Sequence, residues 1–160
     1  MSADDSLPCA GVPALIAHIV ERFHETHRRE LPELVALARA LSAPGKDLGE
    51  HLDSMAAALE THMFKEEMRL FPMIEQGGSP LIGHLIDDLA REHRSHDDAI
   101  ARLEALVAAL SVPPGCEGAA QALRAGVAKL VDDLRQHMHA EDDVLFPRYA
   151  DAPRSRASLA

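Results

Sequence analysis

The chain is short of aromatic residues: among 160 positions there are four Phe, one Tyr and no Trp, so its core must be built from aliphatic side chains. Cysteine is scarce too. Cys9 and Cys116 lie far apart and match no CxxC spacing, which excludes a disulfide scaffold and a thiolate metal site and leaves two free thiols expected. Sixteen Lys and Arg against 26 Asp and Glu give a formal charge of −10, so the Lys/Arg-rich face that a nucleic acid or an anionic membrane would require is missing. No stretch approaches the roughly 18 uninterrupted apolar residues of a membrane span. Met1 to Leu7 carries two Asp and no apolar run, unlike a signal peptide. These absences predict a soluble, cytoplasmic protein with no nucleic-acid or membrane partner; they leave the oligomeric state open.

Present in excess are Ala, Leu and Val, within a 47% apolar composition that suits closely packed helices, and ten His. One domain of about 150 residues can bury roughly 68–70% of its extended surface, enough for a real core. Ile16, Ile19, Val20, Phe23, Leu31, Leu34, Ala38 and Leu41 recur at three- and four-residue steps, predicting a first helix between Val12 and Leu41, with a kink or local break at Pro32. Asp47 as N-cap with Glu50 as its reciprocal partner opens a second helix, which runs to about Gln76 and stops at Gly77-Gly78. Ser79 and Pro80 open a third, ending before Val112-Pro113-Pro114-Gly115, and a fourth runs from about Glu117 to Tyr149. No segment pairs alternating polarity with β-branched residues. The fold class is all-α, an up-down-up-down four-helix bundle: helices of about 30 residues span roughly 45 Å, and short connections make neighbours antiparallel. Residues 1–11 form a short leader, 12–149 the domain, and 150–160 are expected to be a disordered tail.

An internal repeat is the most informative feature. His62-Met63-Phe64-Lys65-Glu66-Glu67-Met68-Arg69-Leu70-Phe71-Pro72 returns as His137-Met138-His139-Ala140-Glu141-Asp142-Asp143-Val144-Leu145-Phe146-Pro147; both read HMxxE, an acid, two residues, then LFP. The first and third helices carry Arg22-Phe23-His24-Glu25-Thr26-His27 and Arg91-Glu92-His93-Arg94-Ser95-His96, both RxHxxH. The second helix pair thus echoes the first, predicting a pseudo-two-fold axis on which related residues converge.

His62 and Glu66, like His137 and Glu141, are four apart and share a helix face, so each pair is a ready chelate. With His24 and His93 they supply four imidazoles and two carboxylates. One metal rarely takes six protein donors, whereas two metals sharing two bridging carboxylates use all six. If each takes two His, one oxygen from each Glu and a bridging oxo or hydroxo group, a sixth octahedral position stays open for a diatomic molecule or peroxide. Imidazole and carboxylate without thiolate suit two non-haem iron ions; manganese or zinc fits less well. Repeat symmetry is taken to give His24 and His62 one metal, and His93 and His137 the other. His27 and His96 are candidates for supporting the ligands or for solvent. His18, His51, His84 and His139 read as structural or surface groups, Met55, Met63, Met68 and Met138 as core filler, and Glu67, Asp142 and Asp143 as solvated faces.

Taken together, RFHETHRRELPEL around His24, HMFKEEMRLFP, REH at His93 and HMHAEDDVLFPR resemble the hemerythrin-like domain. More narrowly they resemble the di-iron proteins described as iron-sulfur cluster repair or regulator of cell morphogenesis and nitric-oxide signalling proteins. The resemblance covers about Val12 to Tyr149. It implies that His24, His62, His93 and His137 are the iron-bound imidazoles and that Glu66 and Glu141 are the bridges. Oxygen-carrying hemerythrins have a further His four residues beyond the one on the third helix and an HxxxxD ending; Asp97 and His137-x-x-x-Glu141 stand there instead, pointing to the repair-type branch. That branch commonly has adjacent cysteines in an N-terminal segment, where only Cys9 is present. The implied function is reaction with nitric oxide, oxygen or peroxide in support of iron-sulfur proteins under stress. A non-enzymatic oxygen or nitric-oxide sensor, scavenger or iron store is the alternative, so enzymatic turnover stays open, and a structural zinc bundle is a third reading.

Overall fold

The computed structural model describes residues 11–150; all but the last residue of the expected leader, including Cys9, and all but the first residue of the expected tail lie outside them. Four long helices account for the described chain. Helix α1 covers 12–40, α2 covers 46–75, α3 is Ile82–Ala108, and α4 covers 117–148. Among the described residues there is no strand. Helix α1 packs against α2 and α4, α2 against α3, and α3 against α4, closing an all-α bundle.

Apolar positions on each helix divide into two cores along the bundle. One is built by Leu34, Leu52, Leu59, Ile100, Leu103, Leu123 and Leu130 with their neighbours, the other by Ile19, Leu70, Ile82, Leu89 and Leu145 with theirs. Between them lies a layer of buried polar side chains drawn from all four helices. Fully burying one Leu or Ile contributes about 1.5–3 kcal/mol, so two aliphatic cores can hold a polar layer that hydrophobic burial alone would reject.

Three helices depart from regular geometry beside that layer. Ile19–His24, Glu66–Leu70 and Ala140–Leu145 are π-helical, with the N–H groups of Glu25, Phe71 and Phe146 reaching back five residues to the carbonyls of Val20, Glu66 and Glu141. Two of these wide turns run into Pro72 and Pro147. A proline has no N–H to donate, and its ring presses on the carbonyl four residues earlier, so a widened turn just before it relieves a conflict an ordinary helix would meet.

Several local expectations are corrected. Helix α1 passes through Pro32 without a break, because Pro32 lies on the exposed face, where water can satisfy the freed carbonyl. The second helix is not capped by Asp47. It starts at Lys46 after Gly45, with no side-chain cap, and Asp47 sits in the first turn. Gly45 is fixed there by contact: a Cβ would fall 1.9 Å from the Ala38 carbonyl oxygen. Ser79 does receive the Leu81 N–H (3.3 Å), but regular helix begins only at Ile82. Met68, expected in the core, is exposed beside Phe64.

Candidate metal centre

The buried layer contains His24, His27, His62, Glu66, His93, His96, His137 and Glu141. All six expected ligand residues are there, each at most 2% exposed. Burying two carboxylates costs several kcal/mol each unless partners compensate, so their surroundings decide what the layer is for.

Both carboxylates divide their oxygens between two pairs of imidazoles. Glu66 places Oε2 3.2 Å from His24 Nε2 and Oε1 3.2 Å from His62 Nε2. Glu141 places Oε1 2.8 Å from His137 Nε2 and 3.7 Å from His24 Nε2, while its Oε2 lies 3.0 Å from His93 Nε2 and 3.9 Å from His62 Nε2. The Nε2 atoms of His24 and His137 are 3.0 Å apart, and those of His62 and His93 are 2.9 Å apart. Two overlapping sets result, His24–Glu66–His137–Glu141 and His62–Glu66–His93–Glu141, each with one donor atom per residue inside 4.8 Å and each able to hold a metal ion.

This pairing overturns the partition expected from the repeat. His24 stands with His137, and His62 with His93. The two-fold axis exchanges His24 with His93 and His62 with His137, so it permits either partition; at this level the turn Ile19–His24 packs on α4 and the turn Glu66–Leu70 on α3, in keeping with the observed one.

Nδ1 of each imidazole points away from the carboxylates and meets a second partner. His24 donates to Glu67 (2.7 Å), His62 to Glu92 (2.8 Å) and His93 to Asp142 (2.8 Å); His137 Nδ1 meets His27 Nε2 at 3.2 Å. Glu67 and Asp142 therefore do not form solvated faces, as their sequence positions suggested. Glu67 is further held by Arg28 (2.9 Å) and Glu92 by Lys65. Repeat-related Phe71 and Phe146 lie against the rings of His24 and His93, and Phe23 stacks on His137 at 5.3 Å. Asp143 and His139 pair on the exposed surface, His84 is exposed, and His51 donates Nε2–H to the Ala99 carbonyl (2.8 Å).

Sequence reasoning missed Glu92 and gave His27 no settled place. Glu92 precedes His93 and Glu67 follows Glu66, so each sits about 100° round its helix from a ligand position, an offset that looks like solvent until the neighbouring helix is in place. Asp133, buried and held by Arg22 (2.7 Å) and Lys129 (2.7 Å), also gave no signal in the repeat.

Electrostatics fit a cation site. Burial disfavours the charged ring of His24, but the adjacent carboxylates of Glu141 and Glu66 more than reverse it, raising its pKa from 6.5 to about 10. The same opposition, with Glu66 and Glu141 prevailing, carries His62 to about 11; Asp142 and Glu141 carry His93 to about 9. Burial also works against the Glu141 carboxylate, yet His137 and its neighbours hold it well below the usual range. Burial and the adjacent imidazoles lower His27 to about 3 and His96 to about 4. The layer thus collects positive charge around two carboxylates. Although imidazole Nε2 atoms lie 3.0–3.2 Å away, no aligned hydrogen bond reaches Glu66 Oε1, Glu66 Oε2 or Glu141 Oε2, as expected of oxygens shaped for metal.

Residues 15–149 match the family described as the Hemerythrin HHE cation binding domain. The chain is 38% identical over 144 residues to the iron-sulfur cluster repair protein DnrN of Neisseria gonorrhoeae, covering 87% of this chain and 92% of that protein. It is 37% identical over 146 residues to the iron-sulfur cluster repair protein YtfE of Edwardsiella ictaluri, where it spans 87% of itself and 66% of the relative. A probable iron-sulfur cluster repair protein of Haemophilus influenzae is 32% identical over 152 residues, with 91% of this chain and 68% of that one covered.

Proposed function

Because the chain belongs to the hemerythrin HHE cation-binding family, we propose that it holds two non-haem iron ions and uses them to bind or react with nitric oxide, oxygen or peroxide, supporting repair of iron-sulfur clusters in the cytoplasm. The observation that carries this reading is the division of the Glu66 and Glu141 oxygens between the His24–His137 and His62–His93 pairs. One ion would leave half of that arrangement without purpose.

His24, His62, His93 and His137 would hold the ions through Nε2, with Glu66 and Glu141 shared between them. Imidazole nitrogen and carboxylate oxygen without thiolate fit iron. Iron so held supplies one-electron redox chemistry and positions for a small ligand, since six protein donors do not saturate two octahedral ions. Glu67, Glu92, Asp142 and His27 fix the tautomer and aim of each ring through its outer nitrogen. Phe23, Phe71 and Phe146 press on three of the rings and keep bulk water from those faces. Among the described residues no helix is long and apolar enough to cross a membrane.

The relatives named for cluster repair motivate the client class, and the chain spans about two thirds of the YtfE relatives it matches. Anaerobic purification with metal analysis, then spectra with nitric oxide, oxygen and peroxide, tests the proposal. Two irons per chain and new absorption bands on adding one of these ligands support it; zinc as the sole metal, with no visible bands after oxidation, defeats it. Turnover under reductant, rather than a single stoichiometric reaction, separates a redox enzyme from a sensor or store.

A further inference from the structure

The two halves of the centre share their carboxylates but are supported unequally from outside. In the His62–His93 half, both outer nitrogens donate to carboxylates, Glu92 and Asp142. In the His24–His137 half, His24 donates to Glu67, but His137 meets a second imidazole, His27, at the longer distance of 3.2 Å. The repeat shows where the symmetry fails. Glu92 directly precedes His93; the residue directly preceding His24 is Phe23, which stacks on His137 and offers no acceptor, and His27 takes the outer nitrogen of His137 instead. The counterpart of His27 in the other half, His96, packs edge-on against His62 at 5.0 Å and tilted against His93 at 6.3 Å.

The chemistry of the acceptor matters to the metal. A carboxylate that accepts an imidazole N–H draws the proton toward itself and makes the opposite nitrogen a stronger donor. A neutral imidazole acceptor does this less. His27 must be neutral to accept from His137: its Nε2 then carries the lone pair and its proton sits on Nδ1, which is buried without a partner. Glu67, among the described residues the one carboxylate that accepts from an outer nitrogen of the His24–His137 half, is also gripped by Arg28. We propose that the His24–His137 subsite holds its ion more loosely than the His62–His93 subsite, and that His27 is the positioning residue that sets this difference. The inference rests on the two-iron reading. Its consequence is a centre that loses its metals one at a time, first from between α1 and α4.

The test is anaerobic loading with iron(II) followed by release to excess ferrozine, with circular dichroism to confirm that each variant is folded. The wild-type chain should release its irons in two phases of one iron each. His27→Phe, which removes the acceptor, should speed the fast phase at least tenfold and leave the slow phase alone; His27→Gln, whose amide oxygen can accept the same N–H, should restore the wild-type rate. Asp142→Asn should act on the slow phase only. Release of both irons in a single phase overturns the inference, as does a His27→Phe effect confined to the slow phase. A wild-type chain that binds only one iron defeats the two-iron reading instead, so the two failures are distinguishable.

Discussion

Nδ1 of His24 lies 2.7 Å from a carboxylate oxygen of Glu67, and Arg28 holds that carboxylate from its other side. Burial opposes the charged carboxylate, but Arg28 and His24 outweigh it and keep its pKa below the ordinary value. Glu67 is thus a charged acceptor for a ring whose other nitrogen faces Glu66. Glu67→Gln should weaken iron binding roughly 10- to 100-fold, the usual cost of losing such a partner. Asp143→Asn, on the exposed surface next to Asp142, is the matched control and should leave affinity unchanged. Competition against a chelator of known affinity checks both; equal effects would place Glu67 outside the centre.

Replacing the bridges should do more. A carboxamide is neutral and offers one good donor oxygen where a carboxylate offers two. Glu66→Gln and Glu141→Gln should each lower iron content by more than half after identical purification, and to a similar degree, because the repeat gives them the same place. Iron per folded chain is the measurement. Full retention in either variant removes that residue from a bridging role.

Metal loading should release protons. In the metal-free chain the neighbouring carboxylates raise the pKa values of His24, His62 and His93 to about 10, 11 and 9, which favours protonated rings at pH 7, and any proton on Nε2 must leave before that nitrogen binds a cation. Calorimetry in buffers of different ionisation enthalpy should report a net release of one or more protons per fully loaded chain. A value below one contradicts protonated rings in the metal-free layer.

The same shifts set the pH profile of the metal-free fold. For His24, His62 and His93 the folded pKa is raised, so their stabilisation is fully present below about pH 6.5 and is lost as pH rises through 9 to 11. His27 and His96 have folded values lowered to about 3 and 4; their contribution is present above 6.5 and is lost as pH falls toward those values. Denaturation midpoints of metal-free protein should peak near pH 6.5 and fall on both sides. A flat profile from pH 4 to 10 would contradict this.

Gly45→Ala should destabilise the fold by about 1–3 kcal/mol, since the new methyl meets the Ala38 backbone, which has no rotamer to yield. Urea midpoints measure the loss. Iron stoichiometry of the folded fraction should not change, because Gly45 lies in the connection between α1 and α2, outside the polar layer.

The bundle was legible in the sequence because period and punctuation agree: apolar steps of three and four residues, then Ser-Ala-Pro-Gly, Gly-Gly and Pro-Pro-Gly between helices. The repeat marked the six central residues, since HMxxE twice and RxHxxH twice leave few other meeting points. What it could not mark is contact between helices. The partition of His24 with His137 depends on which helices are neighbours at that level, and a two-fold axis is satisfied by either choice. Glu67, Glu92 and Asp142 were hidden for the same reason: each lies one residue from a central position, and only the facing helix turns it from a surface acid into a partner for His24, His62 or His93. The π-helical turns were partly signalled by the two LFP runs, but no such mark accompanies the one at Ile19–His24.

The most direct test is anomalous diffraction at the iron edge from crystals of anaerobically loaded protein. Two iron peaks per chain are predicted, one between His24 and His137 and one between His62 and His93, with Glu66 and Glu141 each touching both. A single peak would contradict a two-ion centre built on these shared carboxylates, and two peaks with His24 and His62 on one ion would contradict the His24–His137 and His62–His93 pairing.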